Sequence, residues 1–356
     1  MKGEVVYLHA FDVGDEIVLR EVGVLLGQRP HPYEILTDRT HPKDVPFYKP
    51  LAVEQPLPAS VGGRPGRALV RVYEVGAVSV ALCVPFEVAA VHELVPRHHP
   101  RMDDGLCLHQ YARQLLVQVV RELGSALVRP TSATEPEAYT VFCITDLPSV
   151  PDVNRWLEQE RRAVAGLLAE TPADQLSEAQ VSEILRYQRT FERTDLVVID
   201  WDAALLVELT GYVDDTLYVL ELANLQLEEF RAIDRTLDRY LDQAYADLGR
   251  RRASLFGSDS RTLHKLRRHR IDVTKLADDV SHITKLLGDW HLARVYIAAA
   301  ERFYLDQWRR SVERRLGQLD ELYTVLHGEV NEQRMLWLEL AIVVLFILDL
   351  LVIFLK

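Results

Sequence analysis

The C-terminal end constrains this chain most. From Met335 it reads MLWLELAIVVLFILDLLVIFLK, and between Leu336 and Leu355 only Glu339 and Asp349 are charged. A helix needs about 20 mostly apolar residues to cross roughly 30 Å of hydrocarbon. The stretch has that length and is flanked by Arg334 and Lys356. The expectation is a single C-terminal transmembrane helix, a tail anchor, with lipid met by Leu336, Trp337, Leu340, Ile342, Val343, Val344, Leu345, Phe346, Ile347, Leu348, Leu350, Leu351, Val352, Ile353 and Phe354. The competing reading is a helix buried in an oligomeric coiled coil. The two acids favour it, since an acid near the bilayer centre costs about 2.5–3.5 kcal/mol. Against it, Leu340 to Leu348 is apolar on every face, whereas a coiled coil needs only a stripe. With only Lys356 beyond the span, the body is expected to remain on the side where it was made, with membrane lipid as a partner.

Composition narrows the classes. The chain has 356 residues, enough for two domains or for one domain and a long helical region. Its net charge of −12 argues against general or specific DNA binding, which draws on dense cationic faces. The three cysteines, Cys83, Cys107 and Cys143, form no CxxC pair and no disulfide framework, which suits a reducing compartment. The N-terminus lacks the basic-then-apolar pattern of a signal peptide.

Glu4 to Ala10 alternates and reads as a strand, and Asp15 to Leu26 spaces Ile17, Val18, Val22 and Leu25 as a helix face. Gln28 to Gly66 is an irregular passage holding eight of the sixteen prolines. Arg67–Tyr73 and Ala77–Val84 read as a hairpin, Phe86–Val95 as a short helix, Asp104–Leu127 as a longer helix, and Glu137–Thr145 as a strand. The order β-α-β-β-α-α-β is a split βαβ arrangement. The fold class expected is α+β, with a ferredoxin-like head over residues 1–150. Residues 151–211 would complete it with helices and a hairpin around Asp200-Trp201-Asp202.

Helical signals dominate after Tyr212. Tyr212–Leu248, Arg261–Leu287 and Trp290–Gln333 read as long helices, giving an antiparallel helical or coiled-coil stalk over 212–334 before the anchor at 335–356. In the last of them Leu305, Trp308, Val312, Leu316, Leu319, Tyr323, Leu326 and Val330 recur at steps of three and four, a seam through which the chain is expected to self-associate. A basic connector with Arg250, Arg251, Arg252, Arg267 and Arg268 joins the first two helices. A solvated loop explains it, and contact with anionic lipid is the alternative. Asn224 inside the first long helix reads as a register-setting polar residue.

Catalytic signatures are thin. His92 opens HELV like a zinc-protease helix, but Pro96 stands where the second His belongs. His98 and His99 are metal-ligand types without an established spacing, so a polar turn is the simpler account. Asp200 and Asp202 alternate around Trp201 and could act as an acid–base pair or hold a cation, yet acids are common in exposed turns. The glycines at 62, 63 and 66 fit neither phosphate-loop pattern, and no motif asks for a cofactor.

Four stretches together resemble a known family: Val72–Glu87, Asp195–Glu208, Leu220–Asp238 and Trp308–Val344. The chain is similar to the domain-of-unknown-function family that includes fungal proteins required for meiotic nuclear division and sporulation, with their mitochondrial relatives. Unlike the organellar members the chain shows no targeting segment, so it is expected to be a bacterial-type member at the inner membrane with its body in the cytoplasm, and the resemblance carries over no catalytic residues. In the animal mitochondrial member it implies support of translation of organelle-encoded proteins. The leading expectation is a non-enzymatic scaffold or assembly protein, homo-oligomeric through its stalk. Alternatives are a membrane-associated hydrolase or nuclease using the acids of the 195–202 hairpin, and a factor bound to ribosomes or RNA.

Overall fold

The computed structural model describes residues 1–33, 49–131, 135–148, 150–209, 211–251 and 290–354, with side chains omitted at 243–251, 320, 322–334, 349–350 and 352–354. The chain divides into two compact units, one of residues 1–231 and 279–308 and one of residues 232–278 and 309–356.

The first unit is built on β1 (Lys2–Asp12), whose residues Val5 to Phe11 are buried apart from no more than a few per cent of their surface. A strand that is apolar on both faces belongs in the middle of a sheet. β1 pairs antiparallel with β6 (Ala77–Glu87) on one side and β8 (Glu137–Asp146) on the other. Among the described residues nine strands form one sheet in the order β3-β4-β5-β6-β1-β8-β11-β10-β9, where β3 is His31–Pro32, β4 Leu51–Pro56, β5 Arg67–Tyr73, β9 Gln188–Arg189, β10 Asp195–Ile199 and β11 Ala203–Glu208. β11 runs parallel to β8, and the remaining neighbours are antiparallel. That parallel pair is joined through helices α2 (Val153–Leu168) and α3 (Glu178–Ile184), as a crossover requires. β2 (Gly14–Ile17) and β7 (Leu127–Pro130) pair separately.

Each face of the sheet has its own cover. Val5, Tyr7 and Phe11 of β1, with Val78, Val80 and Leu82 of β6, share one core with α1 (Leu108–Leu123), α2 and α3. Asp152 caps α2 by accepting from Asn154 N at 3.0 Å, and Ser177 caps α3 by accepting from Gln180 N at 3.2 Å. The opposite face is paved with small side chains, among them Ala10, Ala77, Ser79 and Ala81. Small residues let a helix lie close, and Tyr218, Leu222 and Leu225 of α4 (Val213–Arg251) pack there with Ala10, Tyr73 and Ala77. Asn224 donates to the Glu137 carbonyl at 3.2 Å, so this polar residue ties α4 to β8. α5 (Trp290–Arg302) shares that face, with Phe303 just beyond it packed edge-on against Tyr139 at 5.0 Å.

The second unit includes the later parts of α4 and of α6 (Leu305–Phe354). Within it Leu237 of α4 and Val312, Leu316 and Leu319 of α6 are buried, and Arg315 pairs with Asp234 at 3.1 Å and with Asp238. The first half of the expected self-association seam is therefore interior to the chain. The side chains of Tyr323, Leu326 and Val330 fall outside the described residues, as do those of Arg250 and Arg251 and the whole of Arg252, Arg267, Arg268, the expected helix 261–287 and residues 34–48 of the proline-rich passage.

Several expectations are corrected. The ferredoxin-like head gives way to the nine-stranded mixed sheet. The helix expected over Asp15–Leu26 is β2, a 3-10 turn at Leu19–Glu21 and a bridge from Leu25 to Gln28. Ile17, Val18, Val22 and Val24 are β-branched and Gly23 is flexible, a poor mixture for a helix. Phe86–Val95 is the end of β6 followed by a 3-10 segment, Val91–Arg97, that holds Pro96. The last long helix breaks at Tyr304, which takes a positive φ of 55° between α5 and α6.

The C-terminal span is corrected as well. Among the described residues no helix is long and apolar enough to cross a membrane. Leu336, Trp337, Leu340, Ile342, Val343, Val344, Leu345, Phe346, Ile347, Leu348 and Leu351 lie on the last part of α6, a helix of 50 residues, and the side chains of Leu350, Val352, Ile353 and Phe354 are outside the description. The charge-free stretch Leu340–Leu348, set between Glu339 and Asp349, makes only about 14 Å of helix. The tail anchor and the inner-membrane placement fall with the span.

Gly76 shows how tightly the strands are joined. It sits at φ 83° in the β5–β6 turn, and a Cβ there would lie 1.9 Å from the Gly14 carbonyl oxygen. Gly76→Ala is expected to destabilise the fold by more than ~1 kcal/mol, read as a lower urea midpoint.

Candidate functional site

Two buried polar clusters sit on the α4–α5 side of the sheet. The first starts from β5, where Arg71 alternates with Val70 and Val72. Alternation aims Arg71 away from the main core, toward α4. There its guanidinium pairs with the Glu221 carboxylate, both side chains being almost fully buried. Tyr73, two residues along the same strand, donates to Glu221 Oε1 at 2.9 Å. Tyr33 closes over the guanidinium at 4.0 Å from its ring centre, and Tyr218 lies 5.5 Å away on the α4 side. Burial opposes the Arg71 charge, but Glu221 and the surrounding phenols outweigh it and hold its pKa above the ordinary value. Burial first, then Glu221, keeps the Tyr73 phenol protonated far beyond its usual range, so it stays a donor.

The second cluster is at the β10–β11 hairpin. Its turn is closed by Asp200 N donating to the Ala203 carbonyl at 2.9 Å. Asp200 is buried and forms an ion pair with Arg302 at the end of α5, while Asp202 is exposed. Arg302 also reaches Glu183 of α3 at 3.6 Å, and Tyr139 donates to the Asp200 carbonyl at 3.0 Å. Burial raises the Asp200 pKa, with Arg302 working against the rise. Asp195, at the other end of β10, accepts from Phe191 N at 2.9 Å and from Glu192 N, and lies 3.5 Å from His291. These acids hold backbone and helix in place.

The histidines separate. His98 is buried, with Nε2 donating to the Leu167 carbonyl at 2.7 Å and Nδ1 2.9 Å from Glu170. Both ring nitrogens are thus engaged. His99, exposed, meets the same carboxylate at 3.0 Å, and Asp202 feels the charges of Glu170, Asp200 and His98. The structure therefore brings His98 and His99 together on Glu170, a residue the sequence did not single out. His92 lies apart and exposed on the 3-10 segment. Among the described residues no three His, Cys, Asp or Glu side chains are set to hold a metal ion.

The Arg71–Glu221 pair was invisible in the sequence because its partners are 150 residues apart. Another buried polar group, His9 of β1, packs 5.5 Å from the His109 ring of α1. Burial, assisted by the like charge of His109, lowers its pKa to about 4.

Two outcomes follow from these contacts. Arg71→Met leaves Glu221 charged in the interior and is expected to cost ~3–5 kcal/mol in urea denaturation, most of which returns when Glu221→Gln is added. For His9 the folded pKa lies below the unfolded value of 6.5, so the unfolded chain binds the extra proton. Stability is full at neutral pH and should fall as pH drops from 6.5 toward 4, by up to about 3 kcal/mol. His9→Gln should flatten that part of the stability–pH curve.

Comparison with known proteins agrees on one family. The family described as "Uncharacterized protein MJ0711, N-terminal domain" matches residues 2–213, more than half of the chain. The chain is 24% identical over 217 residues to the uncharacterized protein MJ0711 of Methanocaldococcus jannaschii, an alignment covering 60% of this chain and 64% of that protein. The match thus spans less than two thirds of that relative's length. No solved structure matches the chain. Neither match bears out the expected resemblance to the meiotic-division and sporulation family. The chain belongs to the MJ0711 N-terminal domain family.

Proposed function

We propose that this chain is an assembly protein whose contact surface is the apolar end of α6. The observation that carries the reading is the exposure of that end. From Met335 to Leu348 the large apolar side chains are between 47 and 70% exposed. An apolar surface of this extent marks an interaction site. Because the residues point in every direction around the helix, a single partner stripe would cover only part of them. A further copy of the same chain offers an identical apolar face that a symmetric contact buries against this one, which makes self-association the simplest partner.

Of the two acids that would serve an enzyme reading, Asp202 is exposed and Asp200 is engaged. Asp200 is tied to Arg302 and Asp195 to backbone N–H groups, which makes them struts for the hairpin and α5. The resemblance to the meiotic-division and sporulation family belongs to the proposal too, since it implies a supporting rather than a catalytic role.

Sedimentation velocity of the full chain tests the idea. The native chain is expected to run as an oligomer at micromolar concentration. Leu340→Glu, Val344→Glu and Leu348→Glu together place charges along the run and are expected to give a smaller species with unchanged circular dichroism. A native chain that sediments no faster than this triple variant would overturn the proposal.

A further inference from the structure

α5 carries a second exposed seam, on the first unit. Its inward residues Leu292, Val295, Tyr296, Ala298 and Ala299 are buried against the sheet and α4. Its outward residues are Trp290, Arg294, Ile297 and Glu301, with Tyr304 just past its end. These stand at steps of four and three, which lines them up along one side of the helix. Trp290 is 62% exposed, and Ile297 and Tyr304 are each 40% exposed.

The seam is extended by an aromatic at each end. Phe191 packs on Trp290 at 6.3 Å between ring centres, and Trp201 packs on Tyr304 at 5.5 Å. Phe191 is 50% exposed and Trp201 40%. Large exposed aromatics with an arginine are the residues that concentrate binding energy in protein interfaces. Tyr304 also takes its positive φ here, a conformation an aromatic residue seldom adopts. A position of that kind is tolerated where the side chain has a use.

The order of charges along the seam says what fits it. Reading from the N-terminal end it runs aromatic, Arg294, Ile297, Glu301, aromatic. Turned end for end, the same row places a glutamate where the arginine stood, and an aromatic pair where the other aromatic pair stood. The pattern is its own complement. We infer that α5 docks against α5 of a second copy of this chain, antiparallel about a two-fold axis beside Ile297. In that pairing Arg294 of each copy faces Glu301 of its mate, Ile297 meets Ile297, and the Phe191–Trp290 pair covers the Trp201–Tyr304 pair. A two-fold contact of this sort is isologous, each residue meeting its counterpart twice. The inference does not rest on the α6 proposal, because the two surfaces lie on different units.

The test uses the full chain with the three α6 substitutions already named, so that only the α5 contact is read. This background is expected to form a dimer. Arg294→Glu sets glutamate against Glu301, and Glu301→Arg sets arginine against Arg294. Each should weaken dimerisation roughly tenfold or more, with the fold intact because both side chains are exposed. Mixing the two variants in equal amounts should restore the dimer as a heterodimer containing one of each, since both charge pairs are then opposite. Ile297→Cys should crosslink two chains on mild oxidation. A monomeric background, or charge variants that fail to recombine on mixing, would overturn the inference. If the background dimerises but mixing rescues nothing, the contact lies elsewhere, and the α5 seam takes a different partner or none.

Discussion

The sheet of the first unit is covered on both faces, and that double burial governs the rest of the unit. Strands sealed on both sides have no solvent edge along their length, so each polar side chain on them must find its partner inside. Arg71 on β5 and Asp200 in the turn after β10 are two of the charges that this requirement disciplines. Each is matched to a helix that covers the same face, Glu221 on α4 and Arg302 at the end of α5. Such pairs add little net stability over an apolar alternative, because desolvation consumes most of the attraction. What they provide is position. A slide of α4 along the paved surface of Ala10, Ala77 and Ala81 would leave apolar contacts nearly intact, yet it would separate Arg71 from Glu221 and Tyr73.

Much of the local structure was legible. The β5–β6 and β10–β11 hairpins, α1, α2 and α4 all announce themselves through spacing, and Ser177 signals the start of α3. The assembly of those pieces was less visible. β1 reads plainly as a strand, but nothing local says that it lies between β6 and β8, or that β11 runs parallel to β8. The proline-rich passage hid β3 and β4, since prolines are read as loop signals although both strands stand at or near a sheet edge, where proline is tolerated. Asp15–Leu26 misled in the opposite direction. Its apolar spacing fits a helix, while its β-branched side chains favour extension.

The sites divide in the same way. Asp200 stands out in the sequence, but as a turn acid beside Asp202; its tie to Arg302 spans 102 residues and cannot be read from spacing. The alternation VRVY suggests that Arg71 faces water. Only the presence of α4 over that face converts an outward residue into an interior one. His98 was noticed as a metal-ligand type, whereas its ring is held between a helix-end carbonyl and Glu170. In each case the residue was visible and its partner was not. The seam Leu305–Val330 is the counterpart among the helices: its period is correct, but the partner of its first half is α4 of the same chain.

The central place of β1 has a consequence for synthesis. β1 comprises residues 2–12, yet the strands on its two sides are residues 77–87 and 137–146. A growing polypeptide therefore releases this central strand long before either neighbour has left the ribosome. Val5, Val6, Leu8 and Phe11 must wait, first for one flank and then for the other, with both hydrogen-bonding edges open. Nascent molecules of this fold thus carry an unpaired apolar segment throughout that interval, and β1 is enclosed only when β8 arrives on its second side.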